Sequence, residues 1–179
     1  MLKSIARRAL AALIVLSPAV LAQNAPSAST TVIVVRHAEK AAEPAGDPPL
    51  VAAGSARADA LAEMLKDAGI KAIVSTEFQR TRMTVAPIAA KLGLTTEIAS
   101  ARAPQHAKMV ADSILAKHRG QTVLVVGHSN TVPDIIAALG APKPDAICDT
   151  SYDNLFIVTI PAAGTPSVVR LRYGAGTAC

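Results

Sequence analysis

Two arginines and two histidines of this sequence follow apolar runs. Arg36 and His37 come directly after a β-branched run. His128 follows a second such run after one glycine, and Arg80 lies shortly after a third run. The carboxyl ends of parallel strands meet at one edge of a sheet, where open α/β sheets bind their ligands. We therefore expect these four side chains to converge on one pocket.

The four residue types suit phosphoryl transfer to nitrogen. The planar fork of arginine matches phosphate oxygens, and a neutral imidazole is a competent nucleophile. His37 is expected to attack phosphorus in line. The charge on the equatorial oxygens would be neutralised by three side chains: Arg36, Arg80 and protonated His128. Water would then hydrolyse the phosphohistidine, and this chemistry needs neither a metal nor a cofactor.

The apolar runs predict the elements that position these residues. Continuous Val/Ile runs are typical of strands buried on both faces of a parallel sheet, and a Pro/Gly turn predicts a closing hairpin. Helical spacing separates the strands, and a glycine follows each predicted helix. The alternation predicts a three-layer α/β/α domain with a mainly parallel, mixed sheet. The predicted strands are 31–35, 72–74, 122–126, 155–160 and 167–173, and the predicted helices are 57–68, 84–92, 104–118 and 132–139.

The first 22 residues have the layout of a secretory signal peptide. A basic start precedes an apolar stretch too short to span a bilayer, and Val20-Leu21-Ala22 offers a cleavage site. An uncleaved membrane anchor is the alternative. We expect cleavage after Ala22, a flexible leader over 23–30, one domain over 31–179, and a periplasmic or secreted protein without stable membrane insertion.

The charge balance argues against a nucleic-acid partner. Three of the 18 basic residues and none of the 13 acidic ones precede residue 23, so cleavage would lower the net charge from +5 to +2. The chain has no Trp, two Phe and two Tyr, too few aromatic side chains to stack on bases. We expect no nucleic-acid binding.

The two cysteines, Cys148 and Cys179, are expected to form a disulfide. Export would place them in an oxidising compartment. A hairpin centred near Ala163-Gly164 would also bring residues 148 and 179 opposite one another, as disulfide geometry requires. Two unpaired thiols are the alternative, because the register must be extended well beyond the predicted strands.

Three segments resemble the histidine phosphatase superfamily, the phosphoglycerate-mutase-like group, branch 1. They are 34–40 (VVRHAEK), 75–81 (STEFQRT) and 125–131 (VVGHSNT). The resemblance implies that His37 is the nucleophile and that Arg36, Arg80 and His128 form the phosphate pocket, without a metal. It also implies a phosphoglycerate-mutase-like fold. Ala38 replaces the glycine of the family's Arg-His-Gly motif, a change that smaller members tolerate.

The general acid that the resemblance implies has no clear match. Ser129 occupies the position that carries the acid in another branch of the family. Glu97 and Asp112 lie in the expected interval between Arg80 and His128, but neither belongs to a motif, and Glu39 is interpreted as bracing its loop. A phosphohistidine or acyl-phosphate substrate has a good leaving group and would depend less on an acid.

The short interval between Arg80 and His128 favours hydrolysis over mutase activity. Mutase-like members carry an insertion there that covers the pocket, and a mutase must keep water from its phosphohistidine. We expect a phosphatase acting on phosphomonoesters or phosphohistidine, with a phosphorylated small molecule, glycolipid or phosphoprotein as substrate.

Two other functions compete with a phosphatase. A serine hydrolase using Ser129 lacks the glycine of a nucleophile elbow, because Thr131 stands there, and no histidine follows His128. A catalytically silent domain that binds phosphorylated ligands is the other alternative. Retention of all four pocket residues argues against it.

Overall fold

A computed structural model describes residues 28–179 of the chain. The predicted signal peptide, the cleavage site and residues 23–27 of the predicted leader lie outside the described residues. Within 28–179, no helix is both long and apolar enough to cross a membrane.

The described chain forms six strands and four helices. In chain order they are β1 (Thr30–Arg36), α1 (Ala52–Leu65), β2 (Ile70–Ser75), α2 (Gln79–Leu92), β3 (Thr96–Ile98), α3 (His106–Lys117), β4 (Thr122–Gly127), α4 (Thr131–Ala138), β5 (Asn154–Ile160) and β6 (Ser167–Arg172).

All six strands form one mixed sheet in the order β3-β2-β4-β1-β5-β6. β1 to β4 are parallel, whereas β5 and β6 pair antiparallel at one side. Residues of α3 and α4 share one core with the sheet, and residues of α1 and α2 share the other. The predicted three-layer α/β/α architecture with a mixed sheet is confirmed.

Strand register brings the ends of the three central strands together. Arg36 at the end of β1 pairs with Gly127 at the end of β4, and Ser75 at the end of β2 pairs with Val126. The backbone N–H of His37 donates to the Gly127 carbonyl at 2.9 Å. A Cβ at Gly127 would lie 2.8 Å from Thr131 Oγ1, so this strand end meets α4 closely. The functional edge of the sheet is thereby set by backbone pairing.

Two helices start five residues earlier than the sequence predicts. The first turn of α1 consists of small residues, which produce no amphipathic signal. Gly54 lies so close to the loop after His37 that a Cβ there would be 2.1 Å from the Glu39 carbonyl oxygen. The first turn of α2 is mostly polar, and Pro87 lies inside the helix instead of near its start. The carbonyl that Pro87 leaves without a helical donor belongs to Met83, an exposed residue.

Cys148 and Cys179 are joined in a disulfide, with 5.8 Å between their Cα atoms. The hairpin register places Leu155 opposite Leu171, one residue away from the register that a turn centred near Ala163-Gly164 would produce. The paired strands stop before either cysteine. The covalent link therefore joins the loop before β5 to the segment after β6, outside the hairpin.

Replacing Cys179 with serine is expected to lower the free energy of unfolding by about 3 to 4 kcal/mol, because the bond closes a loop across 31 residues of sequence. Urea unfolding of the variant and of the wild type, each with and without dithiothreitol, measures this. Reductant should destabilise only the wild type. Equal unfolding midpoints for oxidised wild type and variant would contradict the expectation.

Candidate active site

His37 presents a free imidazole nitrogen at the end of β1. The side chain is buried, and its Nδ1 lies 2.8 Å from the Ala38 carbonyl oxygen. A carbonyl only accepts, so Nδ1 carries the proton and Nε2 keeps its lone pair. Burial lowers the pKa of His37 to about 3, and nearby Arg36 adds to that effect. The ring is therefore neutral near pH 7 and has the tautomer of an Nε2 nucleophile.

Arg36 is held by the loop before β5. Its Nη1 donates to the Cys148 carbonyl at 2.9 Å and to the Ser151 carbonyl at 3.2 Å. The guanidinium lies over the Tyr152 ring, 4.3 Å from the centroid. Its buried Nε has no hydrogen-bond partner within the described chain. The loop fixes one side of the guanidinium and leaves a donor for an anion.

Arg80 lies in the first turn of α2 and stacks on a neighbouring aromatic ring. Its guanidinium is 4.2 Å from the centroid of Phe78. Two of its buried nitrogens, Nε and Nη1, find no hydrogen-bond partner among the described residues. Buried N–H groups are seldom left unpaired, so these donors suit an anionic ligand. The dipole at the N-terminus of α2 favours the same charge.

His128 lies beside His37, with 5.4 Å between the ring centroids. Arg80 Nη2 lies 3.4 Å from His128 Nδ1, and Thr76 Oγ1 lies 3.1 Å from Nε2. Because arginine only donates, Nδ1 accepts and the proton sits on Nε2. Burial, and next the charge of Arg80, lower the pKa of His128 to about 4. The ring is therefore neutral near pH 7 in the ligand-free protein, and a protonated His128 stays a prediction for the complex with a phosphoryl group.

The four predicted residues line one cavity of about 340 Å³. Five further residues line it, none of which belonged to the predicted set: Lys40, Ser129, Asn130, Asp149 and Tyr152. A larger groove of about 880 Å³ runs between α2 and β3, but it contains neither histidine and neither arginine of the predicted set. The smaller cavity is therefore the candidate active site.

The two predicted candidates for the general acid lie elsewhere. Glu97 belongs to the edge strand β3 and accepts a hydrogen bond from His118 Nε2 at 2.9 Å. Asp112 is exposed on α3 and pairs with Lys108 at 2.6 Å. Neither lines the cavity. Position in the sequence between Arg80 and His128 does not bring a carboxylate to the site.

Glu39 braces the loop after His37, as the sequence predicts. Its partner is Arg57, which the sequence analysis did not identify. Arg57 Nε donates to both Glu39 carboxylate oxygens at 3.0 Å, and Arg57 Nη2 donates at 2.8 Å. The same guanidinium donates to the carbonyls of Tyr173 and Ala175. Arg57 thus ties the loop after β1 to the segment after β6. No motif marks it, because its partners lie 18 to 118 residues away.

No cluster of metal ligands accompanies these side chains. Among residues 28–179, no three His, Cys, Asp or Glu side chains are placed to hold a metal ion. The cavity instead concentrates arginine and neutral imidazole, which is the donor set of an anion site.

Over residues 32–102, the chain matches the family model of the histidine phosphatase superfamily (branch 1). This segment contains the end of β1 with Arg36 and His37, and the start of α2 with Arg80. Over this segment the chain is similar to the histidine phosphatase superfamily (branch 1). No curated protein sequence matches it significantly.

Solved structures share the histidine phosphatase fold with this chain. The protein histidine phosphatase SixA, complexed with tungstate, is 22% identical, with a TM-score of 0.65 over 79% of this chain and 96% of SixA. The phosphoglycerate mutase of Bacillus anthracis str. Sterne is 17% identical, with a TM-score of 0.64 over 82% of this chain and 94% of the mutase. A mycobacterial glucosyl-3-phosphoglycerate phosphatase is 17% identical, with a TM-score of 0.58 over 73% of this chain and 90% of that protein. At these identities the likeness establishes the fold, and the predicted phosphoglycerate-mutase-like fold is confirmed.

The buried histidines His37 and His128 make the stability of the protein depend on pH. Their pKa values are about 3 and about 4 in the folded chain, below the ordinary value of 6.5. Between pH 6.5 and about 4 the unfolded chain binds protons that the folded chain does not. The free energy of unfolding therefore decreases as the pH is lowered through this range. The expected slope is about 1.4 kcal/mol per pH unit for each histidine.

Urea unfolding at several pH values tests this slope in the wild type and in His37→Gln. The variant should lose about half of the wild-type slope between pH 6.5 and 4. Asp153, whose pKa is lowered to about 2 by its hydrogen bonds to Thr177 and Arg172 against the opposing effect of burial, contributes below that window. An unchanged slope in His37→Gln would contradict the expectation.

Proposed function

We propose that this chain is a metal-independent phosphatase that hydrolyses phosphomonoester or phosphohistidine substrates through a phosphohistidine at His37. The proposal is carried by one observation: a neutral His37 Nε2 lies beside buried guanidinium N–H groups of Arg36 and Arg80 that have no hydrogen-bond partner among residues 28–179. The match of residues 32–102 to the histidine phosphatase family model supports phosphatase activity in general.

The first step forms the phosphoenzyme. The lone pair of His37 Nε2 attacks phosphorus while the bond to the leaving oxygen breaks. Arg36 and Arg80 bind the equatorial oxygens, and their preformed positions stabilise the charge of the transition state. His128 is neutral before the substrate binds, and its Nε2–H donates to Thr76 Oγ1. The negative charge of a bound phosphoryl group would favour protonation of this ring.

The second step is attack of water on the phosphohistidine. Between Arg80 and His128 the chain consists of the rest of α2, then β3, α3 and β4 with their short connections. Apart from Arg80 and His128 themselves, no residue of this interval lines the cavity. No part of this interval therefore covers the cavity, which supports hydrolysis over mutase activity.

An open cavity also supports large substrates. SixA is a protein histidine phosphatase, and the mycobacterial neighbour acts on glucosyl-3-phosphoglycerate. For this chain we infer a phosphorylated small molecule, glycolipid or phosphoprotein. We also infer export to the periplasm or the medium, supported by the layout of residues 1–22 and by the Cys148–Cys179 disulfide. Mass spectrometry of the N-terminus of protein recovered from those fractions tests cleavage after Ala22.

The purified protein should hydrolyse p-nitrophenyl phosphate and a phosphohistidine peptide in the presence of EDTA. Rapid quenching with alkali during turnover should trap a phosphoenzyme that acid hydrolyses, as expected for phosphohistidine. Loss of activity in EDTA that returns with a divalent cation would overturn the metal-independent mechanism. Binding of inorganic phosphate without turnover of either substrate would instead indicate a silent binding domain.

A further inference from the structure

One carboxylate lines the candidate active site in the described chain. It belongs to Asp149, whose side chain is 91% exposed, in contrast to the buried His37. His37 therefore lies at the floor of the cavity and Asp149 at its mouth. In an in-line displacement the leaving group departs on the side opposite the nucleophile, which here is the side of the mouth.

The backbone around Asp149 is held in place from three directions. The Ser151 N–H donates to the Cys148 carbonyl at 3.0 Å, which closes a tight turn with Asp149 at its corner. Arg36 Nη1 donates to the carbonyls at both ends of this turn. The Cys148–Cys179 disulfide anchors the residue before Asp149. The carboxylate is therefore exposed at its tip but fixed at its base.

The side chain itself has two weak partners. Ser129 Oγ donates to Asp149 Oδ1 at 3.0 Å, and Arg36 Nη2 lies 3.8 Å from the same oxygen. The second distance is too long for a hydrogen bond, and exposed ion pairs contribute little free energy. A phosphoryl group bound to Arg36 would replace this contact.

We propose that Asp149 is the general acid and base of the reaction, an inference that rests on the proposed function. In the first step the His37 Nε2–P bond forms and the P–O bond to the leaving group breaks. The electron pair of that bond passes to the leaving oxygen, which takes the proton of Asp149. In the second step the Asp149 carboxylate takes a proton from the attacking water. The P–N bond breaks, its electron pair returns to Nε2, and inorganic phosphate leaves.

Other carboxylates near the cavity are already engaged. Both oxygens of Glu39 accept hydrogen bonds from Arg57. Asp47 Oδ1 accepts from the Gln79 backbone N–H at 2.8 Å, at the start of α2, and Glu77 accepts from the Ala101 backbone N–H at 2.8 Å. None of the three lines the cavity. Asp149 is the carboxyl group that a leaving oxygen can reach.

The test compares Asp149→Asn with the wild type on aryl phosphates whose leaving groups differ in basicity. With phenyl phosphate, a poor leaving group, kcat/KM should fall by about 100-fold. With 2,4-dinitrophenyl phosphate, whose leaving group needs no proton, it should stay close to the wild-type value. The pH profile for phenyl phosphate should also lose its alkaline limb in the variant, because that limb reports the acid.

Asp145→Asn is the matched control. It removes the same charge from an exposed residue four positions earlier in the same loop and should leave both substrates unaffected. If the wild type turns over both substrates, three results would overturn the assignment of Asp149. These are an equal loss of kcat/KM on both substrates in Asp149→Asn, an equal gain, or no change. Absence of wild-type turnover on either substrate would overturn the proposed function together with this inference.

Discussion

His37→Ala is expected to reduce turnover of p-nitrophenyl phosphate and of a phosphohistidine peptide by on the order of 10⁴-fold or more. The variant loses the Nε2 lone pair on which the phosphoenzyme depends, and the cavity offers no other nitrogen in the same position. Steady-state kinetics in EDTA measure the loss. The trapped phosphoenzyme should disappear with it, because the atom that carries the phosphoryl group is gone.

His118→Ala is the control for this experiment. His118 lies outside the cavity and bonds with Glu97, so its loss should change neither turnover nor phosphoenzyme yield. Circular dichroism establishes that both variants are folded. Near-wild-type turnover in a folded His37→Ala protein would show that His37 is not the nucleophile. It would indicate direct attack of water on phosphorus instead.

Arg36→Lys, although it keeps the charge, is expected to lower kcat/KM by about 100-fold. An ammonium group has three N–H donors at a single nitrogen. If two of them donate to the Cys148 and Ser151 carbonyls, the group cannot also present two donors to phosphate. It also loses the planar stacking on Tyr152. Inhibition by inorganic phosphate should weaken in parallel, because the lost contact binds the phosphoryl group itself.

Arg102→Lys provides the comparison for Arg36→Lys. Arg102 is largely exposed and approaches Glu77 at 3.9 Å, outside the cavity. The same chemical change there should leave kcat/KM and phosphate inhibition unaltered. If Arg36→Lys were equally harmless, the bidentate geometry of Arg36 would be irrelevant and its charge alone would suffice.

The strands and the four central side chains were predictable because one physical signal marks both. A strand buried on both faces must be apolar throughout, so β1 and β4 read as continuous runs. The first polar residue after each run then marks the sheet edge at which ligands bind. Arg36, His37 and His128 were located by this reasoning, and the structure places them in one cavity with Arg80.

The rest of the site depends on contacts that local sequence does not encode. Asp149 and Tyr152 reach the cavity because Arg36 binds their loop across 112 to 115 residues of sequence. The neutral state of His128 follows from its burial and from the charge of Arg80, which only packing reveals. The strand β3 was missed because it has three residues, none of them buried.

The segment after β6 connects the two walls of the cavity from behind. Arg57 binds its carbonyls on the side of the Glu39 loop, and Thr177 Oγ1 accepts the Tyr152 N–H at 2.9 Å on the other side. The floor of the cavity is thus held in place from behind, whereas Lys40 and Asn130 at its mouth are exposed. Substitutions of Lys40 and Asn130 can therefore accumulate without disturbing the floor of the cavity. Relatives built in this way can diverge in the molecule they recognise while conserving the reaction they perform.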